Sequence, residues 1–223
     1  AYRGLWRFDQ ITARRQSTLD TTSLRTPLVN TTATGLVRVA DWSGDDLALR
    51  GRLETTNVDA TTLAVQNGAA LAHSPTTSTT VNSLTIDVDT LTVDAASSID
   101  LSGRGLTGAT GGLGRTWPNT TTGGSYNGAG GSHGGRGGAH DANGDSANAY
   151  GSLFDPNTPG GAGGQWSNGT CNPCNAGGGI ARITAQTIAL DGKLLANGVN
   201  SGSGGGAGGS IRIDVETLSG IGE

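Results

Sequence analysis

The residues best suited to chemistry are two cysteines, Cys171 and Cys174, set in a Cys-Asn-Pro-Cys string. That spacing fits a redox pair, half of a zinc site or a small-loop disulfide. For zinc, the second half would have to come from His133 and His140, well upstream. No βαβ pattern of the thioredoxin kind surrounds the pair. In an oxidising compartment Cys171 and Cys174 close most simply into a disulfide, with Pro173 pinning the turn. So short a loop gains little entropy on closure. The bond's role would be to fix local loop shape.

A second candidate is Asp141-Ala-Asn143-Gly-Asp145, with oxygen ligands at alternate positions, as in the first half of a calcium loop. Asp141, Asn143 and Asp145 are therefore the candidate calcium ligands. Ser146 stands where glycine belongs and Ser152 where a bidentate glutamate should be, with Asp155 as a substitute. A polar turn on Asn143-Gly144 is the simpler reading. Acid–base catalysis would need paired carboxylates. Asp87 and Asp89 share a strand parity and Asp94 lies close, but a solvated outer face explains them more simply. No Gly-x-Ser-x-Gly, His-Glu-x-x-His or Walker loop is present. The expectation is that the chain is not an enzyme.

The chain has 223 residues, enough for one all-β domain. Charged residues make up 14% and the net charge is −4, so nothing points to nucleic acid. No apolar run approaches the roughly 20 residues of a spanning helix, so no membrane insertion is expected. Arginine supplies 13 of the 14 basic residues, and methionine is absent. A processed N-terminus or a fragment of a longer chain is expected. Low lysine, abundant Thr, Ser, Asn and Gly, and one cysteine pair suit an extracellular or cell-surface location.

The elements that would carry these groups are strands. Leu5 to Ile11 alternates, with Trp6 and Phe8 on one face, which reads as core. Asp41-Trp42-Ser43-Gly44-Asp45-Asp46 reads as a solvated turn. Leu63-Ala-Val-Gln-Asn-Gly-Ala-Ala-Leu71 and Leu91-Thr-Val-Asp-Ala-Ala-Ser-Ser-Ile99 share one pattern, and Ile188 to Leu195 repeats it loosely. One such unit cannot bury its apolar face, but stacked copies can. The spacing of about 28 residues between the first two copies suits one solenoid turn with a modest loop. Gly177 to Ile183 likewise matches Gly208 to Ile213, with Arg182 and Arg212 in equivalent places. Helix signals are almost absent.

Between and around these repeats lies the glycine-rich stretch from Gly103 to Gly209, which holds 33 of the 40 glycines. Disordered low-complexity sequence and ordered, closely packed backbone are the two physical readings. Trp117, Tyr126, Tyr150, Phe154, Trp166 and the cysteine pair lie among the glycines and favour order.

The strings Ser98-Ile-Asp-Leu-Ser-Gly-Arg-Gly105, Gly130-Gly-Ser-His-Gly-Gly-Arg-Gly-Gly138, Tyr150-Gly-Ser-Leu-Phe-Asp-Pro156, Gly177-Gly-Gly-Ile-Ala-Arg-Ile183 and Gly206-Ala-Gly-Gly-Ser-Ile-Arg-Ile213 resemble the glycine-rich parallel β-helix segments of large bacterial surface and adhesin-like proteins. The resemblance covers about 98–218. It implies a scaffold and carries over no catalytic residue.

The expected fold is all-β: a single right-handed parallel β-helix (solenoid) over 1–223. N-terminal coils occupy 1–102, a long ordered glycine-rich loop insertion 103–179, and C-terminal coils 180–223. The expected function is structural, as a cell-surface or matrix scaffold or adhesin module. The alternative is an extracellular carbohydrate-binding or polysaccharide-degrading β-helix. A cleft shared by Trp117, Tyr126, Tyr150 and Trp166, with acids nearby, would favour that alternative. Neither end shows a helical or charged cap, so copies of the chain are expected to pair end to end into filaments. Otherwise the chain is an excised piece whose neighbouring coils cover both ends. Other surface or matrix components are the remaining partners expected.

Overall fold

The computed structural model describes residues 6–7, 10–13, 18–31, 35–139, 144–166, 175–200 and 202–223. The chain is all-β, and its strands are joined in parallel into one 12-stranded sheet. The strands are β1 (Trp6–Arg7), β2 (Ile11–Ala13), β3 (Thr18–Arg25), β4 (Leu28–Thr31), β5 (Leu36–Arg50), β6 (Arg52–Val65), β7 (Ala70–Ala72), β8 (Leu84–Val93), β9 (Ser98–Asp100), β10 (Ile180–Leu190), β11 (Lys193–Leu195) and β12 (Ser210–Ser219). A single 3-10 turn, Thr110–Gly112, is the one helical element among the described residues. None of their helices is long and apolar enough to cross a membrane.

The pairing register stacks apolar residues in three ladders. In the first, Trp6, Leu24, Trp42, Val58, Ile86, Ile183 and Ile213 are successive backbone partners. In the second they are Ile11, Val29, Leu49, Val65, Val93 and Leu190. In the third they are Leu19, Val37, Leu53, Leu71, Ile99 and Leu194. Members of all three ladders meet in one core, where Leu24, Trp42, Leu49, Leu53, Leu71, Ile86 and Ile99 are fully buried. Burying a side chain of this size stabilises by about 2 kcal/mol. Within β8 the inward parity slips by one between Val88 and Leu91. The same slip recurs between Trp42 and Leu47, and between Val58 and Leu63. β8 and β10 therefore each serve two ladders, and β5 and β6 serve all three. Phe8, expected to share the core with Trp6, lies outside the described residues.

The register confirms the repeats. Leu63 pairs with Leu91 and Leu71 with Ile99, at the expected 28-residue spacing. In the looser copy, Leu194 rather than Leu195 stands opposite Ile99, because its turn is shorter. Ile180 to Ile183 lies on Ser210 to Ile213, and Arg182 faces Arg212. Earlier in the chain the step is shorter, with Val37 on Leu53 and Leu19 on Val37. The 28-residue step is this short step lengthened by 73–83.

The segment Asp41 to Asp46 is not a turn. It lies inside β5, with Trp42 fully buried and its indole N–H donated to the Thr26 carbonyl at 2.9 Å. Asp41, Asp45 and Asp46 point outward on the same strand. The three acids mark a solvated strand face, and the tryptophan between them supplies the core contact.

Three excursions leave the sheet: 73–83 between β7 and β8, 101–179 between β9 and β10, and 196–209 between β11 and β12. Each departs after the third ladder and re-enters before the first. The two glycine-rich ones are bonded to one another through their backbones. Along Gly160 to Gln165, successive amides donate to the carbonyls of Gly178, Ser132, Arg115, Asn175, Ala129 and Gly112, at 2.7–3.2 Å. The partner segment repeats every third residue, which is the period of a polyproline II helix. Partner numbers fall as 160–165 rises, so all three neighbours run antiparallel to it. In return, Gly161 accepts the amide of Ala207 and Gly164 that of Gly204. This close approach explains the glycines. A Cβ on Gly163 would overlap the Gly204 carbonyl, and one on Gly177 the Gly160 carbonyl.

Candidate functional site

Buried polar side chains gather where the excursions leave and rejoin the sheet. Glu54 of β6 is buried at 5% exposure. Its Oε2 accepts Nε of Arg38 at 2.7 Å and Oγ of Ser74 at 3.1 Å, and its Oε1 accepts Nη1 of Arg104 at 3.0 Å. Arg38 reaches it because β5 and β6 place the two residues opposite one another. Arg104 comes from the start of the long excursion and also donates to the His73 carbonyl at 2.5 Å. Burial pushes the Glu54 carboxyl up. The hydrogen bond from Arg38 and the Arg104 charge outweigh that, and its pKa lies below the ordinary value.

His73 is fully buried beside this group. Its Nδ1 lies 2.8 Å from the Ser74 carbonyl, and its Nε2 3.1 Å from the Ile180 amide. A carbonyl only accepts and an amide only donates, so Nδ1 carries the proton and the ring is neutral. Burial, aided by the Arg104 charge, holds the imidazole down to about 4. His133 lies at the start of β12, where the Ser210 hydroxyl donates to the Thr158 carbonyl at 2.7 Å. Nε2 of His133 lies 3.0 Å from Oγ1 of Thr158 and 3.4 Å from Oγ of Ser210, and burial lowers its pKa. The ring packs on Tyr150 at 5.3 Å. Tyr150 donates to the Pro159 carbonyl at 2.7 Å, and burial raises its phenol pKa above the ordinary value. Ile180 opens β10 and Ser210 opens β12, so each strand begins on a residue tied by a histidine from an excursion. These histidines secure a junction. Sequence reasoning passed over His73, since its partner amide lies 107 residues away.

Cys171, Cys174, His140, Asp141 and Asn143 lie outside the described residues. Asp145 is exposed, and its Oδ1 accepts Nη2 of Arg136 at 2.6 Å and the Ser146 amide at 2.9 Å. Asp155, the substitute calcium ligand, accepts Nη1 of both Arg182 and Arg212, at 2.8 and 2.9 Å. Hydrogen bonds from those two arginines hold its carboxyl below the usual range. This clamp fastens the 150–157 segment to β10 and β12, and Leu153 and Phe154 project from that segment into solvent. Among the described residues no group of three or more His, Cys, Asp or Glu is placed to hold a metal ion.

Asp87 and Asp89 do share an outward face. Register adds Asp59 opposite Asp87, and Asp45 lines the same open trough. Asp89 accepts from Gln186 at 3.0 Å. Asp94 instead caps two turns, accepting the amides of Asn67 at 2.6 Å and Ala96 at 3.2 Å. The four aromatics divide: Tyr150 is tucked against His133, while Trp117, Tyr126 and Trp166 are exposed. Trp166 stands at an open hollow with Gly128, Gly202 and Ser203, without an acid.

The sequence matches no family model, and comparisons with curated proteins and with solved structures give no match.

Proposed function

We propose that this chain is a non-catalytic structural module of a cell surface or extracellular matrix, of the adhesin-like, glycine-rich β-helix kind. In this reading the three ladders are the faces of one right-handed solenoid, and the glycine-rich segments form a rigid side bundle fastened along it. The observation that carries the reading is the unbroken stacking of the ladders. Side chains are repeated coil after coil for packing, and the buried polar groups serve to anchor the excursions. A solenoid of this kind presents an extended, repetitive surface and joins neighbours through its ends.

A further column in the same sheet supports end-to-end association. Leu47, Leu63, Leu91 and Ile188 are successive partners, each at most 2% exposed, but Leu218, next in line, is 59% exposed. Ile213 is 38% exposed, next to a fully buried column. The face presented by β12 matches another coil of the same kind, and a second copy is the partner proposed for it. Such a contact is head-to-tail and propagates. Sedimentation over rising concentration tests it. The chain is expected to grow in mass, and a bulky folded tag at the C-terminus to hold it monomeric. A compact monomer at every concentration would overturn end-to-end pairing.

A further inference from the structure

One arginine stands apart from the rest. Among the arginines whose surroundings are described, Arg38, Arg104, Arg136, Arg182 and Arg212 each hold a carboxylate. Arg25, Arg50 and Arg52 are exposed to solvent. Arg115 is half-buried, and its Nε is shut off from solvent with no hydrogen-bond partner. Withdrawing a guanidinium from water without an acceptor is costly, since the lost hydration is not replaced. The backbone of Arg115 is pinned on both sides. Its amide donates to the Thr107 carbonyl at 3.3 Å, and its carbonyl accepts the Ala162 amide at 2.9 Å.

Arg115 lines a hollow of about 450 Å³ between the 73–83 excursion and the first glycine-rich turn. That is within the size range of small-ligand sites. Thr76, Thr77, Ser78, Thr107 and Thr110 contribute to its wall. The wall is held in shape: Oγ1 of Thr77 accepts the amide of Thr80 at 3.0 Å, and Nδ2 of Asn119 donates to the Thr77 carbonyl at 3.0 Å. That bond fixes the orientation of the Asn119 amide, whose Oδ1 is also buried without a partner. The hollow is thus walled by Arg115 and by Thr and Ser side chains, together with Pro75, Gly108 and Ala109.

We propose that this hollow binds a carboxylate-bearing sugar, a hexuronate unit of an acidic polysaccharide. The carboxylate sits across the two terminal Nη nitrogens of Arg115, since Nε is shut off from solvent, and the sugar hydroxyls meet the Thr and Ser wall. The planar guanidinium matches a carboxylate in two parallel bonds. A single cation balances a single negative charge. A phosphate of nearly double charge would be left unneutralised in a chain whose net charge is −4. The site stands independently of how the module assembles.

The test is an amide-resolved NMR titration of the full chain with digalacturonate and with its neutral counterpart, galactobiose. The acid is expected to shift Thr76 to Ser78, Thr107 to Thr110 and Arg115, and galactobiose to leave them in place. Arg115→Gln should weaken the acid about 10- to 100-fold, the worth of a charge-assisted bond. It should not lower the melting temperature, and relief of the unpaired Nε should raise it slightly, because among the described residues the Arg115 side chain has no hydrogen bond to lose. Equal binding of both sugars, shifts confined to another surface, no shift with either sugar, or unchanged affinity in Arg115→Gln would each overturn the assignment.

Discussion

Gly163→Ala is expected to destabilise the chain by about 3 kcal/mol or more, whereas Gly138→Ala changes stability by less than about 1 kcal/mol. Both replace hydrogen by a methyl group in the same glycine-rich region, and the difference lies in what surrounds the new Cβ. At Gly163 it would overlap the carbonyl carbon and oxygen of Gly204. Backbone cannot rotate aside as a side chain can. The Gly163 amide is also bonded to Asn175, so moving the segment breaks bonds to its neighbours. At Gly138 a Cβ meets nothing within 4 Å and the backbone is not left-handed. There alanine is tolerated, and it reduces the freedom of the unfolded chain. Chemical denaturation of both variants checks the contrast. Equal, small effects would mean that the glycines are not close-packed.

Stability is expected to fall as pH drops from 6.5 towards 4, by about 3 kcal/mol from His73 alone. His73 titrates near 6.5 when unfolded and near 4 when folded. Between those values the unfolded chain binds a proton that the folded chain refuses. The contribution is therefore complete above pH 6.5 and is lost on acidification, at up to about 1.4 kcal/mol per pH unit. The groups facing the ring are Arg104, which resists a second positive charge, and Glu54, which favours one. Protonation would also place an Nε2–H against the Ile180 N–H. His133, also lowered by burial, adds loss of the same sign. Glu54 adds loss only further down, as its depressed carboxyl takes up a proton. His73→Gln keeps an acceptor for Ile180 and removes the titration. Denaturation midpoints from pH 7 to 4 should slope less steeply in the variant by one proton. Parallel profiles would assign the acid sensitivity elsewhere.

Much of the sheet was legible in the sequence. The Leu63/Leu91 and Ile180/Ser210 repeats are the register itself, because parallel stacking puts like residues on like. Asp41 to Asp46 misled, because local turn chemistry was outweighed by one buried tryptophan in a strand with solvated acids. The backbone bonding of the glycine-rich segments was not legible. These bonds join residues such as Gly161 and Ser132, or Ala207 and Gly161, and no local pattern encodes such pairs. His73 and Arg115 were missed for a related reason. Each is a single residue in unremarkable surroundings, and its meaning comes from what a distant segment brings to it, or fails to bring.

The glycine-rich segments are bonded to one another and to the sheet through their backbones. Amide hydrogen exchange tests this bonding most directly, because an amide bonded inside a packed unit exchanges only when that unit opens. Gly160 to Gly164 and Gly177 to Gly179 are expected to be protected to a degree comparable with β8 and β10, while Gly138 exchanges quickly. Exchange throughout 103–179 at the rate of an unstructured chain, with the sheet still protected, would contradict it.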